Sequence, residues 1–441
     1  MTETQGLKAE ACAVVDRRGR QLIGVAARIA RYPELGFKET RTARLVAESL
    51  GRLGLQVKTG LAVTGVQATL KPEGPRPTVA ILSELDALVC REHPQAHGRT
   101  GVVHACGHHL QVASMLGVAM ALVESGVAAS LDGNVAFVAT PAEEYVDIED
   151  RLDLRCRGEL EFIGGKPELI RLGEFASIDM ALLVHAGGAI HSVGGGANGF
   201  IAKSVRFVGR EAHAGSAPQT GVNALNAANI AIHAIHAQRE TFREEDRVRI
   251  HPILTRAGDS VNIVPADVRL ETYVRAARLE AITGAALKVD RSLRAGAMAV
   301  GARLEVTDLP GFLPLVNDSR LAELYRTNLV SLVGRERVVD GGHITGSTDM
   351  GDLSQVMPVL QAYSAGVAGT AHTRDFAVVD WEQACLVPAK AMAMTAIDLL
   401  AGGAAGARYI LATAKPAFTQ EEYVARQRGL WRYWQDGPQQ P

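Results

Sequence analysis

The sequence predicts an α/β protein with a mostly parallel sheet, into which a smaller α+β domain is inserted. In the first part of the chain, helical segments alternate with short apolar ones, as in parallel sheets covered by helices. Thr78–Ser83 is continuously apolar and β-branched, as a strand buried on both faces would be, and Asn134–Thr140 is a second predicted strand. The 441 residues also exceed the usual size of one domain, about 100–200 residues.

Helices are predicted on both sides of these strands. They cover Arg18–Tyr32, Thr40–Leu53 and about His108–Val127, with a break at Pro33–Phe37 between the first two. A further strand, Gly65–Leu70, precedes a turn at Lys71–Arg76.

The composition changes at the glycine-rich stretch Gly194–Gly199. The pattern that follows is β-α-β-β-α-β, which fits a small ferredoxin-like domain. We therefore expect residues 1–193 and 314–441 to form the larger domain, residues 194–313 to form the inserted one, and the tail from Trp431 to be a loose end. The predicted elements of the inserted domain are Lys203–Val208, Asn223–Gln238, Val248–Ala257, Val268–Arg275, Leu279–Val300 and Arg303–Leu309.

Composition and charge exclude several classes of partner. Hydrophobic residues make up 47% and charged residues 21% of the chain, as in soluble globular proteins. The net charge of −2 gives no reason to expect nucleic acid or an anionic membrane as a partner. The longest apolar run, Val112–Val123, is shorter than the ~20 residues that span a bilayer, so we predict a buried helix there. No signal peptide is recognisable and the five cysteines are scattered, so we expect a cytoplasmic protein.

Three polar clusters stand where a predicted strand ends or a helix begins. They are Ser-Glu-Leu-Asp-Ala-Leu at Ser83–Leu88, Val-His-Ala-Cys-Gly-His-His at Val103–His109, and Thr-Pro-Ala-Glu-Glu at Thr140–Glu144. In open α/β sheets the ligand crevice lies outside the carboxyl ends of the strands. Imidazole, thiolate and carboxylate together suit zinc, or manganese where oxygen ligands dominate. The clusters therefore predict a metal site.

This prediction depends on two pairs of residues that are close in the sequence. Cys106 and His108 can reach one site from the turn that starts a helix, although most Cys-x-His pairs are incidental. Glu143 and Glu144 repel each other unless a cation neutralises them. In a metal site one acid binds the ion while the other takes a proton from water. The alternative is a solvated loop with two surface acids.

Together these motifs resemble those of the M-twenty metallopeptidase family, specifically its amidohydrolase branch. That branch includes hippurate hydrolase, indole-acetyl-amino-acid hydrolases and aminobenzoyl-glutamate hydrolase. The resemblance covers roughly residues 15 to 400 and rests on His104–His108, Pro141–Glu144, His185 and His372. It implies a two-metal, aminopeptidase-like catalytic domain, with residues 194–313 as a lid and dimerisation domain.

The resemblance implies a ligand set for two divalent metal ions, zinc or manganese. Cys106 resembles the ligand that bridges the two ions. The residues that resemble the terminal ligands are His108, Glu144, His185 and His372.

Further matches imply catalytic and substrate-binding roles. Glu143 resembles the general base, and Asp86 matches a carboxylate that orients a ligand imidazole. His213 resembles a residue that reaches across a dimer to the substrate carbonyl; the alternative is a helix-entry turn residue. Asn262 and Arg275 resemble lid residues that hold the oxyanion or a substrate carboxylate, for which an arginine fork is suited. An ordinary surface charge is the alternative for Arg275.

Three departures from the branch flank the expected pocket and leave the substrate open. His109 replaces an Asp or Asn, Val89 replaces a Pro, and Tyr145–Arg151 replaces a glycine-rich stretch. We also expect an exposed sheet edge near Lys203–Val208, which would favour pairing with a second copy in a homodimer.

The implied reaction is hydrolysis of an amide C–N bond by metal-activated water. The expected substrate is a small N-acyl or aryl-amide amino acid with a free carboxylate. A metallodipeptidase or exopeptidase, and a hydrolytic deaminase of an activated aromatic amine, are the alternatives on the same site. A non-catalytic binding protein on this scaffold would have lost a ligand or the base, and all six residues are present.

Overall fold

The computed structural model describes residues 3–71 and 77–438, which divide into two compact units. The first unit contains the chain up to Gly196 together with Val316–Gly342 and Asp352–Glu421. The second unit contains Ala197–Leu315, His343–Gly351 and the chain from Glu422. Two segments that we assigned to the larger domain, His343–Gly351 and the chain from Glu422, therefore group with the second unit instead.

Helices occur in both units, and the first one begins well before the predicted residue Arg18. In chain order they are α1 Glu3–Arg31, α2 Thr40–Arg52, α3 His108–Glu124, α4 Ile148–Cys156, α5 Gly165–Arg171, α6 Ala224–Ala237, α7 Leu279–Val300, α8 Ser319–Val333, α9 Met350–Ser354, α10 Val387–Leu400, α11 Ala405–Thr413 and α12 Gln420–Leu430.

The strands include the predicted ones and several short ones that the sequence pattern did not indicate. The predicted turn at Lys71–Arg76 lies largely outside the described residues. In chain order the strands are β1 Gln56–Leu61, β2 Gly65–Thr69, β3 Thr78–Glu84, β4 Leu88–Val89, β5 Val102–Val103, β6 Asn134–Thr140, β7 Met180–Gly188, β8 His191–Val193, β9 Gly196–Ala197, β10 Gly199–Val208, β11 Arg249–Ile250, β12 Ile253–Arg256, β13 Asp267–Ala276, β14 Arg303–Pro310, β15 Leu315–Val316, β16 Val338–Asp340, β17 Val359–Ala365, β18 Val367–Ala368, β19 Ala377–Val378 and β20 Arg432–Asp436.

The first unit is built on an eight-stranded sheet in the order β1-β2-β6-β3-β7-β17-β8-β16. Its centre is parallel, since β3 pairs in parallel with both β6 and β7, and β7 pairs in parallel with β17. Every residue of β3 and β6 is buried, as their apolar composition predicted. The predicted α/β fold with a mostly parallel sheet is confirmed.

Helices α1, α3 and α10 pack against one another in the core of this unit. The predicted buried helix is confirmed, because α3 is buried from His108 to Leu122. Among the described residues, Glu382–Leu400 is the one helical segment with the length and composition of a membrane span. Since 83% of its most apolar window is buried inside the protein, it fits a core helix.

The second unit contains the predicted β-α-β-β-α-β pattern, with α6 and α7 packed against each other. Its sheet has the order β11-β13-β10-β14-β20, and β12 also pairs with β13. The expected exposed edge near Lys203–Val208 was wrong. These residues belong to β10, which pairs with β13 on one side and with β14 on the other, so β10 is a central strand.

The described part of the tail is also not the loose end that we expected, because β20 pairs with β14 over Arg432–Asp436. Residues 439–441 of the predicted tail lie outside the described residues. A buried ion cluster supports this pairing. The Lys203 ammonium contacts Asp290 and Asp308 and is fully buried, and the Arg432 guanidinium lies 2.9 Å from Asp290 and 2.6 Å from Asp308. Two carboxylates and two cations thus join the central strand, α7 and the C-terminal strand.

We predict that Lys203→Met destabilises the protein by about 3–5 kcal/mol, because it leaves two carboxylates buried with one cation fewer. Arg206→Met on the same strand is the control. The Arg206 side chain is 43% exposed, and loss of its ion pair with Asp267 should cost only about 0–1 kcal/mol. Urea unfolding of the two variants measures the difference, and equal losses would contradict a special role for the buried cluster.

Candidate metal centre

Two loops and a neighbouring strand meet at one edge of the parallel sheet of the first unit. Glu84 of β3 lies opposite Thr140 of β6 in the parallel register, so the segments that follow these strands emerge side by side. They carry Asp86 on one side and the pair Glu143 and Glu144 on the other. The neighbouring strand β7 contributes His185.

The N-terminus of α3 brings Cys106 and His108 to the same place. Gly107 between them has φ +92°, a conformation that disfavours any residue with a side chain. His372 also has a positive φ, +66°, and its backbone N–H donates to the carbonyl of Ala105 at 2.9 Å. This bond holds the C-terminal histidine beside the cysteine turn.

The five predicted ligand residues form two groups that share Cys106. Within each group the potential ligand atoms lie within 4.8 Å of one another. The Cys106 Sγ is 3.4 Å from His185 Nε2 and 3.3 Å from His372 Nε2. The first group is Cys106, His108 and His185, and the second is Cys106, Glu144 and His372.

The imidazoles are oriented in the manner of metal ligands. His108 Nδ1 lies 2.8 Å from the carbonyl oxygen and 3.1 Å from the carboxylate of Asp86, so it donates there and leaves Nε2 with its lone pair. His108 Nε2 is buried and makes no hydrogen bond of normal geometry, although Glu84 Oε2 lies 3.2 Å away. His185 Nδ1 likewise donates to the Ala186 carbonyl at 2.8 Å, so its Nε2 faces Cys106. A buried nitrogen without a normal hydrogen bond is explained if a cation binds there.

Burial and neighbouring groups both shift the pKa values of residues in the centre. Burial raises the pKa of the Cys106 thiol well above its usual value, and the charge on Glu144 acts in the same direction. Burial would lower the pKa of His108, but Cys106 and Glu84 raise it well above its usual value. Burial would raise the pKa of Glu144, but the hydrogen bond from His372 lowers it. A divalent cation among these donors would favour the thiolate and carboxylate forms together.

Glu143 occupies a different position from its neighbour Glu144. Its carboxylate belongs to a third group with Glu84 and His108, and Glu143 Oε2 lies 3.8 Å from His108 Nε2. Glu144 belongs instead to the group of Cys106 and His372. The two adjacent acids therefore face different parts of the centre.

The sequence analysis missed the partners of Glu84. This buried carboxylate lies 2.6 Å from the Lys166 ammonium, accepts a hydrogen bond from Gln111 at 2.7 Å, and is 3.2 Å from His108 Nε2. Burial would raise the pKa of Glu84, but Lys166 together with the histidines lowers it to about 2. Glu84 was visible in the motif that contains Asp86, whereas no sequence signal pointed to Lys166.

His109, the departure from the branch pattern, packs away from solvent. Its ring centroid is 5.2 Å from that of His104 and 6.1 Å from the ring of Trp381. Burial and the neighbouring His108 lower the pKa of His109 to about 3, which keeps it neutral. These rings line a cavity of about 420 Å³ that Arg31 also borders.

The remaining predicted site residues lie in the second unit. His213 forms an antiparallel bridge with Ile263, and the Ala214 N–H donates to the Asn262 carbonyl at 2.9 Å, so the His213 and Asn262 loops are held together. His213 Nδ1 accepts from two backbone N–H groups, which leaves its exposed ring with a proton on Nε2. Arg275 is partly buried; it donates to Ser347 at 3.1 Å and lies over two aromatic rings.

Comparison with known proteins supports the family resemblance. Residues 80–397 match peptidase family M20/M25/M40. The chain is 28% identical over 431 residues to the Xaa-Arg dipeptidase of Mus musculus, covering 90% of each protein. It is 26% identical over 355 residues to the IAA-amino acid hydrolase ILR1-like 4 of Arabidopsis thaliana, covering 76% of this chain and 75% of that protein.

A solved structure shares the fold. A Bacillus subtilis protein described as a dinuclear metal-binding peptidase of family M20 superimposes with a TM-score of 0.62 at 22% identity, over 86% of this chain and 98% of that one. The family match covers well over half of this chain, and the expected recognition is confirmed. The protein therefore belongs to peptidase family M20/M25/M40, and it is a metal-dependent hydrolase that acts on C–N bonds.

Proposed function

We propose that the protein hydrolyses the amide bond of a small N-acyl or aryl-amide amino acid at a centre for two divalent ions. The observation that carries this proposal is the shared position of Cys106, whose Sγ belongs to two separate groups of three ligands. The name of the Arabidopsis relative, IAA-amino acid hydrolase ILR1-like 4, agrees with such a substrate.

The donors present fit two metal ions. One ion would be held by Cys106, His108 and His185, and the other by Cys106, Glu144 and His372. The orientation of His108, whose Nδ1 is bonded to Asp86 so that Nε2 faces the other donors, supports this assignment. Sulfur, nitrogen and oxygen donors together suit zinc, and manganese is the alternative where oxygen ligands dominate. When bound, an ion of this kind would lower the pKa of a water ligand to about 7 and polarise the substrate carbonyl.

Glu143 is the proposed general base. It is buried beside the centre and lies outside both ligand groups. In this role its carboxylate takes a proton from water and returns it to the leaving amine. Asp86 fixes the tautomer of His108 in this scheme.

Residues of the second unit are the proposed partners of the substrate. His213 presents Nε2–H as a donor to the developing oxyanion, and loss of one such donor typically costs about 2.7–4 kcal/mol of barrier. Asn262, on the loop bonded to His213, would assist there. Arg275 would bind the substrate carboxylate, and its contacts with Ser347 and two aromatic rings support the geometry of the guanidinium.

A dipeptidase is the second candidate, favoured by the 28% identity to the Xaa-Arg dipeptidase over 90% of both proteins. A dipeptide brings a free α-amine, which needs an acidic partner in the pocket. We also propose a cytoplasmic location, because Cys12, Cys90, Cys106, Cys156 and Cys385 are all free thiols, as a reducing compartment would keep them.

A substrate panel distinguishes these candidates. Purified protein of known metal content is assayed with N-acyl amino acids, aryl-amide amino acids, dipeptides that end in arginine, and activated aromatic amines. We expect turnover of the acyl or aryl amides. Turnover confined to dipeptides would favour the second candidate, and release of ammonia from the amines alone would contradict both.

Mutations of the two adjacent acids, Glu143 and Glu144, should have different effects. Glu143→Gln is expected to keep both metals and to lose turnover by about 100- to 10,000-fold, the usual contribution of a general base. Glu144→Gln should instead lose metal affinity, because an amide replaces an anionic ligand. Metal analysis by mass spectrometry together with the panel assay measures both effects. Equal metal loss in the two variants would contradict this division.

We further propose a homodimer in which His213 acts on the partner's substrate. Twofold symmetry is the commonest arrangement of soluble oligomers. Next to Asn262, the side chain of Val261 is 99% exposed and that of Ile263 is 43% exposed, and a second copy would cover such apolar residues.

Complementation between two inactive variants tests this arrangement. His213→Ala keeps an intact metal centre, and Glu143→Gln keeps an intact His213. After co-refolding, random pairing should restore one working site in half of the dimers, or about a quarter of wild-type activity. Proven mixed dimers without recovered activity, or an active monomer, would show that His213 does not act across a dimer.

A further inference from the structure

The loop Pro141–Glu144 carries both acids of the centre, and groups outside the loop hold its backbone. The Ala142 N–H donates to Glu39 Oε1 at 2.8 Å, and the Ala142 carbonyl accepts from the Gly165 N–H at 3.2 Å. Ala142 has φ +49°, a left-handed conformation that costs energy in any residue except glycine. The loop therefore needs external bonds to keep this shape.

Glu144 is held on both sides of its own backbone. Its N–H donates to Asp86 Oδ2 at 2.9 Å, and its carbonyl accepts from Nη2 of Arg151. The same guanidinium donates through Nη1 to the Ile163 carbonyl at 2.7 Å. Arg151 thus joins the two ends of the segment from 144 to 163, and one of these ends is a proposed metal ligand.

Arg151 is an unusual residue to bury. Its exposed fraction is 2%, and the ion pairs of the described residues do not include it. The guanidinium instead meets two carbonyl oxygens and the faces of two rings, 5.2 Å from the Phe37 centroid and 5.9 Å from that of Tyr145. A buried cation without a carboxylate partner is costly. Its arrangement therefore fits a role in positioning better than a role in stability.

We propose that Arg151 is a positioning residue for the metal ligand Glu144. It fixes the Glu144 peptide between its own guanidinium and Asp86, and so sets the direction of the Glu144 carboxylate. The segment Tyr145–Arg151, which departs from the branch pattern, supplies this anchor. The inference rests on the proposed two-metal centre and names one ion in particular, the one assigned to Cys106, Glu144 and His372.

The break between α1 and α2 makes room for this anchor. A Cβ on Gly36 would lie 2.8 Å from Arg151 Nη2 and 2.9 Å from the Cβ of Ala142. Gly36→Ala would therefore displace the guanidinium without removing its charge, and would also press on Ala142 of the ligand loop. It provides a second way to disturb the same bond.

The test compares metal affinities of purified, metal-stripped variants by zinc titration against a chromophoric chelator. Glu144→Gln identifies which of the two dissociation constants belongs to the ion held by Glu144. We expect Arg151→Met to weaken that constant by about 10- to 100-fold, the usual effect of losing a partner of a ligand, and to leave the other within about threefold. Arg151→Lys should recover part of the loss, because an ammonium can still donate to the Glu144 carbonyl.

Arg155→Met is the matched control. Arg155 lies on the same helix, α4, and donates to the Glu161 carbonyl at 3.1 Å, so both zinc constants should stay at the wild-type values. If Arg151→Met does not fold, Arg151→Lys answers the question, with a smaller loss expected at the same ion alone. Unchanged zinc affinity, or an equal loss at both sites, would overturn the inference alone. A wild-type protein that binds fewer than two zinc ions would overturn the proposed centre as well.

Discussion

The Asp86 carboxylate connects the two halves of the metal centre. One oxygen lies 3.1 Å from His108 Nδ1, and the other accepts the backbone N–H of Glu144 at 2.9 Å. One buried side chain thus contacts a proposed ligand from each group, His108 and Glu144. It can do so because β3 and β6 are parallel neighbours, so the segments after them emerge at the same edge of the sheet. The sheet brings the two segments to the same edge, and Asp86 holds the proposed ligands in position relative to each other.

The charges around this carboxylate create the second constraint. Glu84, Glu143 and Glu144 are buried near one another, and the Cys106 thiol lies among them with a raised pKa. Within the protein, the Lys166 ammonium neutralises Glu84, and His372 lowers the pKa of Glu144. Anions and lone pairs that converge in this way suit a bound cation.

Much of the fold and the ligand set could be predicted from the sequence, because the decisive residues stand in short motifs at the ends of recognisable strands. The parallel sheet follows from continuously apolar segments, and the ligands from residues that directly follow or begin an element. The predicted ligand residues all converge on Cys106, and their roles remain proposals. Contacts between distant residues could not be predicted in this way. Lys166 is 82 residues from Glu84. Arg151 is only 7 residues from Glu144, but its bond to the Glu144 carbonyl depends on the path that the chain takes between them.

The errors in the second unit have physical causes. The ferredoxin-like order places the first strand in the centre of the sheet, so Lys203–Val208 could not form an edge. The tail was expected to be loose because it is terminal, yet its Arg432 forms ion pairs with two buried carboxylates. A buried charge cluster forms only in the folded protein. A sequence pattern does not show which distant acids will pair with a cation.

Anomalous diffraction from crystals of the zinc-loaded protein tests the central claim, that one thiolate is shared by two metal ions, most directly. The account predicts two anomalous peaks, each at a zinc–sulfur distance of about 2.3 Å from Cys106 Sγ. One peak should lie against His108 and His185, and the other against Glu144 and His372. A single peak, or two peaks of which one is out of bonding distance of Cys106, would contradict the account.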